Sequence, residues 1–161
     1  MFCVGQKVLY GANGVCTIDD VTEKSVGDHV LQYYVLKPVA SAASTLFVPT
    51  ANEQLVGKIR NVLTADEAKA ILADLPDCGA WTDDKTERSE HFKSVISSGD
   101  CVELIRMIRL LKAHEAEQVA NGKRLHISDE RFLKEAEKMV GEELAIVLGV
   151  ERGEVLPLIL K

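Results

Sequence analysis

The residue pattern changes near residue 63, and this change constrains the fold more than any other feature of the chain. Before it, short β-prone runs alternate with turns, whereas after it apolar residues recur at helical spacing almost without interruption. A chain of 161 residues accommodates one domain or two small ones. We therefore predict an α+β protein of two domains, residues 1–63 and residues 64–161.

The first domain has the strand layout of a small barrel. Asn13-Gly14 predicts a tight turn between the first two strands, and the polar residues 22–28 are expected to be a link. Five short strands with tight turns are typical of an SH3-like or Tudor-like β-barrel. The predicted strands lie at residues 6–10, 15–18, 31–36, 45–48 and 58–62.

The second domain is predicted to be entirely helical. Thr64 and Glu67 have the spacing of a capping box, so a helix is expected to begin there. Ser128 is expected to cap a long helix that ends at Gly149. The predicted helices cover residues 65–75, 82–97, 101–120, 129–148 and 151–160.

Charge is distributed unevenly between the two domains. Residues 1–63 hold five basic and five acidic side chains, whereas residues 64–161 hold the whole net charge of −6. A nucleic-acid contact in the helical domain therefore requires a local basic patch, because the overall field repels phosphate.

The composition is globular, and the sequence gives little sign of an active site or a metal site. The opening residues lack the basic start and long apolar run of a signal peptide, so a cytoplasmic protein is expected. Glu142-Glu143 is interpreted as the solvated side of a helix. We predict no enzyme activity, cofactor, metal or small-molecule substrate, because the cysteines and histidines lie far apart: Cys3, Cys16, Cys78, Cys101, His29, His91, His114 and His126.

Trp81, the single tryptophan, stands in a linker before a strongly polar stretch. One interpretation is that its ring packs against the helices; the other is that it is exposed and stacks on a base or wedges a groove. Lys85 and Arg88 are placed to touch phosphate from the same helix, although Asp83 and Asp84 would repel it.

A series of motifs along the chain resembles the CarD family of bacterial RNA polymerase-binding transcription regulators. The resemblance continues from the first domain into the second, in order. The motifs are Phe2-x-x-Gly5-x-x-Val8-x-Tyr10-x-x-x-Gly14-Val15-x-x-Ile18, Tyr33-Tyr34-Val35-Leu36, Val48-Pro49-x-x-Asn52, Val56-Gly57, Arg60, Trp81, Arg88, Phe92-Lys93, Ser98-Gly99-Asp100 and Ala136-Glu137-x-x-x-x-Glu142-Glu143-Leu144-Ala145.

This resemblance implies that the barrel binds the polymerase β subunit and that the helical domain contacts promoter DNA. In the family the tryptophan wedges into the minor groove at the upstream edge of the melted region and stabilises the open complex. The expected polymerase contacts, chosen at strand edges or loops, are Lys24, Lys37 and Phe47. The expected DNA contacts are Trp81, Lys85, Arg88, Lys93, Arg109 and Lys112.

Two other classes of function remain open at this point. The chain is alternatively a protein-only adaptor, in which the barrel and the helices each bind a protein. A hydrolase that uses Cys16 or Cys101 is the third and most distant class.

Overall fold

The computed structural model describes residues 2–41 and 43–161. These residues form two compact units that divide between Val62 and Leu63. We call them the β unit, which precedes the division, and the helical unit, which follows it. An antiparallel sheet followed by helices makes the protein α+β, so the predicted fold class is confirmed.

The β unit contains five antiparallel strands in the order β4-β3-β2-β1-β5. The first four strands form a meander, and the fifth returns to pair with β1, as expected for a small SH3-like or Tudor-like unit. The elements are β1 (Lys7–Tyr10), β2 (Val15–Val26), β3 (His29–Pro38), β4 (Leu46–Pro49), the single helical turn α1 (Glu53–Val56) and β5 (Ile59–Asn61).

The predicted link at residues 22–28 is wrong. Most of that segment belongs to β2, which continues to Val26 and pairs with β3 as far as Val26↔His29. Only Gly27 and Asp28 form the turn. Residues 22–26 form a hairpin arm that extends past the neighbouring strands β1 and β4. Solvent therefore reaches both faces of the arm, and no alternation of apolar residues marks it as a strand.

The turn between β1 and β2 also differs from the prediction. Residues Gly11–Asn13 form one turn of 3₁₀ helix, and the positive φ angles belong to Gly11 and Gly14 rather than to Asn13. The Tyr10 N–H donates to the Gly14 carbonyl at 3.0 Å and closes the loop. Glycine is favoured at both ends because a side chain would be strained at positive φ.

The interior of the β unit is built from one face of the sheet. Val8, Ile18, Leu36 and Val48 are completely buried there, and each comes from a different strand. Alternation along β3 places Tyr34 and Leu36 inward, which leaves Tyr33 on the outer face.

The helical unit consists of five helices with local sequence signals at most of their ends. The capping box of Thr64 and Glu67 is present and Gly149 ends α5 in the left-handed conformation, both as predicted, and Asp100 caps α4. None of the described helices is long and apolar enough to cross a membrane. The helices are α2 (Ala65–Ala73), α3 (Lys85–Ser98), α4 (Cys101–Ala120), α5 (Ile127–Leu148) and α6 (Arg152–Ile159).

Two helix starts are corrected by the structure. Helix α3 begins at Lys85 rather than at residue 82, and the Asp84 carboxylate caps it by accepting hydrogen bonds from the N–H groups of Thr86 and Glu87. Helix α5 begins one residue after His126, whose Nδ1 accepts a hydrogen bond from the Ser128 N–H. Ser128 therefore lies inside the helix and does not cap it.

The core of the helical unit is an apolar cluster shared mainly by α3, α4 and α5, with Phe92 and Leu104 among its fully buried members. The expectation that Glu143 is solvated is wrong, because this residue is 1% exposed. Its Oε2 accepts a hydrogen bond from the Leu63 N–H at 3.0 Å. A buried carboxylate thus fixes the first residue of the helical unit to α5.

Candidate functional site

An exposed cluster of one cation and two aromatic rings lies on the outer face of the β unit. We call Lys24, Tyr33 and Phe47 the aromatic–cation cluster. The Lys24 Nζ lies 3.6 Å from the centroid of the Phe47 ring, and the Tyr33 ring meets Phe47 edge-on at 6.4 Å. Phe47 remains 45% exposed.

Three strands build this cluster through their register. Lys24 lies opposite Leu31 on β3, and Tyr33 and Phe47 come from neighbouring positions of the β3–β4 ladder. The β4 strand has one partner, β3, among the described residues, so its other backbone edge remains available. An exposed aromatic anchor beside a cation and a strand edge suits binding to another protein.

Lys37 interacts with a different residue, Asp19. Its Nζ is 3.5 Å from Asp19, and both side chains are about half exposed. Such a surface pair contributes about 0–1 kcal/mol, so it anchors little. The structure therefore brings together two of the three residues predicted to bind polymerase, Lys24 and Phe47.

Trp81 is half-buried and packs against the helical core. Its indole stacks on the His114 ring, with a centroid distance of 3.6 Å and an interplanar angle of 6°. The Arg88 guanidinium carbon lies 4.6 Å from the indole centroid, and Phe92 is tilted against it at 6.5 Å. The ring is thus packed against the helices, as the first interpretation expects, and part of it stays exposed, while its contact with DNA stays a prediction.

Arg88 is buried and paired, at 8% exposure. Its Nε and Nη2 donate to the two carboxylate oxygens of Asp129 at 3.0 and 2.9 Å, and its Nη1 donates to the Thr82 carbonyl at 2.8 Å. Burial and these partners keep the guanidinium away from a phosphate at the surface. Arg88 is therefore left out of the DNA surface proposed below.

Lys85 and Lys93 are exposed on α3. The Lys85 Nζ lies 2.8 Å from the His126 Nε2. Lys93 has no ion-pair partner among the described residues. Both side chains are reached by solvent on this helix.

Arg109 and Lys112 have structural partners on α4. The Arg109 Nη1 donates to the carbonyls of Ile159 and Lys161 at 2.8 and 3.3 Å, so it caps the end of α6. Lys112 lies 3.4 Å from Glu115 and 3.6 Å from Glu137. Because both side chains are bound to partners within the helical unit, we leave both out of the proposed DNA surface.

The acidic residues after the tryptophan have different roles. Asp84 caps α3, so its charge is partly compensated by the helix N-terminus. Asp83 is exposed, and its carbonyl lies 3.4 Å from the Arg88 Nη1. The expected repulsion of phosphate is therefore concentrated at Asp83.

Three participants in these surfaces escaped the sequence analysis: Tyr33, His114 and Asp129. Tyr33 was visible as one residue of a β-prone run and of a family motif, without a role of its own, and neither His114 nor Asp129 carries a local signal. His114 and Asp129 meet Trp81 and Arg88 through folding, from 33 and 41 residues away along the chain.

The thiols of the hydrolase alternative are buried, Cys16 at 0% and Cys101 at 3% exposure. Neither presents sulfur to a substrate at the surface, which disfavours that alternative. Within residues 2–41 and 43–161, no group of three or more His, Cys, Asp or Glu side chains is arranged to hold a metal ion.

The chain thus combines a small antiparallel β unit, which carries the exposed aromatic–cation cluster, with a following helical unit. Residues 2–63 match the family model of the CarD-like/TRCF RID domain, which confirms the resemblance over this region and is consistent with a CarD-like protein. The match indicates an RNA polymerase-interacting protein that regulates transcription. A search of curated proteins gave no significant match.

Proposed function

We propose that this protein binds the RNA polymerase β subunit through its β unit and contacts promoter DNA through its helical unit, and thereby stabilises the open complex. The match of residues 2–63 to the CarD-like/TRCF RID domain carries the polymerase half of the proposal. The partly exposed Trp81 and the two exposed lysines of α3, Lys85 and Lys93, support the DNA half.

The polymerase contact is centred on the aromatic–cation cluster. Phe47 supplies an exposed aromatic anchor, and Lys24 is held over its ring at 3.6 Å. Few residues carry most of the energy of such an interface, and aromatic side chains are enriched among them. The adjacent free edge of β4 offers backbone hydrogen bonds to a partner strand.

The DNA contact is individually weak and depends on tethering. The helical domain is net acidic, so its affinity for free DNA is expected to be low. Binding to polymerase raises the effective concentration of Trp81 at the promoter to the millimolar range expected for a short tether, about 10⁻³ M. A protein that binds only the opened DNA then shifts the equilibrium between the closed and the open complex toward the open one, by the difference between its affinities for the two.

The lifetime of promoter complexes tests the DNA half. Trp81→Ala is expected to shorten the competitor-resistant lifetime at least about five-fold, because an aromatic contact to a base is worth about 1–3 kcal/mol. Lys85→Ala and Lys93→Ala should give smaller losses, with the exposed Lys123→Ala as the matched control. An unchanged lifetime for Trp81→Ala would refute the role of the ring.

Polymerase binding by the full chain tests the other half. Phe47→Asp is expected to weaken binding at least about ten-fold, which corresponds to a contact of about 1.4 kcal/mol or more. Val30→Asp is the matched control, because Val30 is also an exposed apolar residue of the β unit, at 64% exposure. Equal affinity of the Phe47 variant and the wild type would exclude the aromatic–cation cluster as the contact.

The net charge of residues 64–161 favours one second candidate, the protein-only adaptor. In that case the helical unit binds a protein rather than DNA. A salt titration of DNA binding in the presence of polymerase separates the candidates, because phosphate contacts weaken steeply with salt. Absence of any DNA contribution would favour the adaptor.

A further inference from the structure

The segment that carries Trp81 is held to the helical unit by few polar contacts. Between Gly79 and Asp83, the described carbonyls that accept hydrogen bonds are those of Gly79, Thr82 and Asp83. The Gly79 carbonyl accepts only from its neighbour Cys78, whereas the other two accept from Arg88. A cavity of about 290 Å³ lies beside the segment and is lined in part by Gly79, Ala80 and Thr82.

Arg88 is itself fixed by a partner on another helix. Asp129 accepts from two of its nitrogens, and both side chains are buried. This bidentate contact determines the plane of the guanidinium, which in turn directs Nη1 at the Thr82 carbonyl and places the guanidinium carbon over the indole. The position of the tryptophan thus depends on a pair formed between α3 and α5.

His114 contacts the indole by its ring face and not by its nitrogens. The stacking is almost parallel at 3.6 Å, while the buried Nδ1 has no hydrogen-bond partner among the described residues. The Glu117 Oε2 lies 3.7 Å from this nitrogen, beyond hydrogen-bond distance. The planar ring is therefore the feature of His114 that matters here.

We propose that Arg88, Asp129 and His114 are positioning residues that hold Trp81 in one fixed pose before it meets DNA. The stacked imidazole covers one face of the indole, so a base cannot stack there unless His114 leaves. Trp81 then contacts DNA as a rigid wedge, through the part of the ring that stays exposed. This inference rests on the DNA role proposed above and specifies how that site is prepared.

A fixed ring reduces the entropy lost on binding. Immobilising a free side chain opposes association, and a side chain that is already ordered avoids this cost. Loosening the ring is therefore expected to shorten the lifetime of promoter complexes about three- to ten-fold without changing the affinity for polymerase. When the contact between the ring and DNA is strong, loosening the ring shortens the lifetime less than removing the ring does.

Tryptophan fluorescence provides a readout of the pose that is independent of DNA, because Trp81 is the single tryptophan. In the full chain, His114→Ala is expected to raise the acrylamide quenching constant about two-fold or more by uncovering one face of the indole, whereas His114→Phe should stay near wild type. Arg88→Lys should also raise quenching, since an ammonium group lacks the forked geometry. The exposed Arg131→Lys is the matched control.

The promoter-complex lifetime should follow the same order, with His114→Phe restoring what His114→Ala loses. Circular dichroism of each variant checks folding, and the His114 pair keeps the test decisive if Arg88→Lys unfolds. Unchanged quenching in His114→Ala overturns the fixed pose, and raised quenching with an unchanged lifetime overturns its role in DNA binding. If Trp81→Ala leaves the promoter-complex lifetime unchanged, the proposed DNA role fails. The quenching data then still test whether the indole is held in one fixed pose.

Discussion

The buried Arg88–Asp129 pair offers the sharpest prediction about stability. Asp129→Ala removes both acceptors, at 3.0 and 2.9 Å, and leaves a guanidinium at 8% exposure without its counter-charge. Breaking a buried ion pair by removing one partner costs about 3–5 kcal/mol. Arg88 keeps its bond to the Thr82 carbonyl, so we expect a loss of about 3 kcal/mol, about a fifth to three fifths of a typical domain's 5–15 kcal/mol.

Urea unfolding followed by Trp81 fluorescence measures this loss, because the single tryptophan lies within the helical unit. Glu130→Ala is the matched control on the same helix. It breaks an exposed pair with Lys134 at 3.3 Å and should cost under about 0.5 kcal/mol. In a double-mutant cycle, replacing both partners by Met and Leu should recover much of the loss.

A loss below about 1 kcal/mol for Asp129→Ala would refute this reasoning, since an unpaired buried cation cannot cost so little. A double variant no more stable than Asp129→Ala would also contradict it. In that case, the free energy would come from packing of the side chains and not from their charges.

Three further changes have defined outcomes. Phe92→Ala removes a fully buried ring and should lower the free energy of unfolding by about 3–5 kcal/mol, measured by urea titration. Thr64→Ala removes the capping box formed with Glu67 and should cost about 1 kcal/mol in the same assay. Burial, and secondarily the charge of Cys16, raises the pKa of Tyr10 above its ordinary value, so the folded state favours the neutral phenol. This stabilisation is complete below the pKa of Tyr10 in the unfolded state and is lost as the pH rises through its pKa in the folded state. Tyr10→Phe should therefore remove the contribution of Tyr10 to the pH dependence of stability, measured by thermal melts at alkaline pH.

Local signals determined much of what the sequence predicted correctly. The Thr64 capping box and the Gly149 end of α5 each depend on contacts within a few residues. The five strands followed from β-branched and aromatic runs. The hairpin arm at residues 22–26 was missed because solvent reaches both faces, so no apolar face imposes alternation.

The remaining errors concern partners that are distant along the chain. Glu143 has the sequence context of a surface carboxylate, yet it lies within the fold and accepts a hydrogen bond from Leu63, 80 residues away. The burial of Arg88 was not predicted, because its partner Asp129 lies 41 residues further along the chain. A single sequence contains no pairing information of this kind, and burial of a charge depends on the pairing.

Site-specific crosslinking tests the central claim most directly. A photoreactive phenylalanine analogue replaces Trp81 in the full chain, and the protein is irradiated with polymerase on a promoter fragment. The account predicts crosslinks to promoter DNA beside the melted region when polymerase is present, and their loss when polymerase is omitted or when Phe47→Asp is added. Crosslinks to protein alone in the complete complex would contradict it.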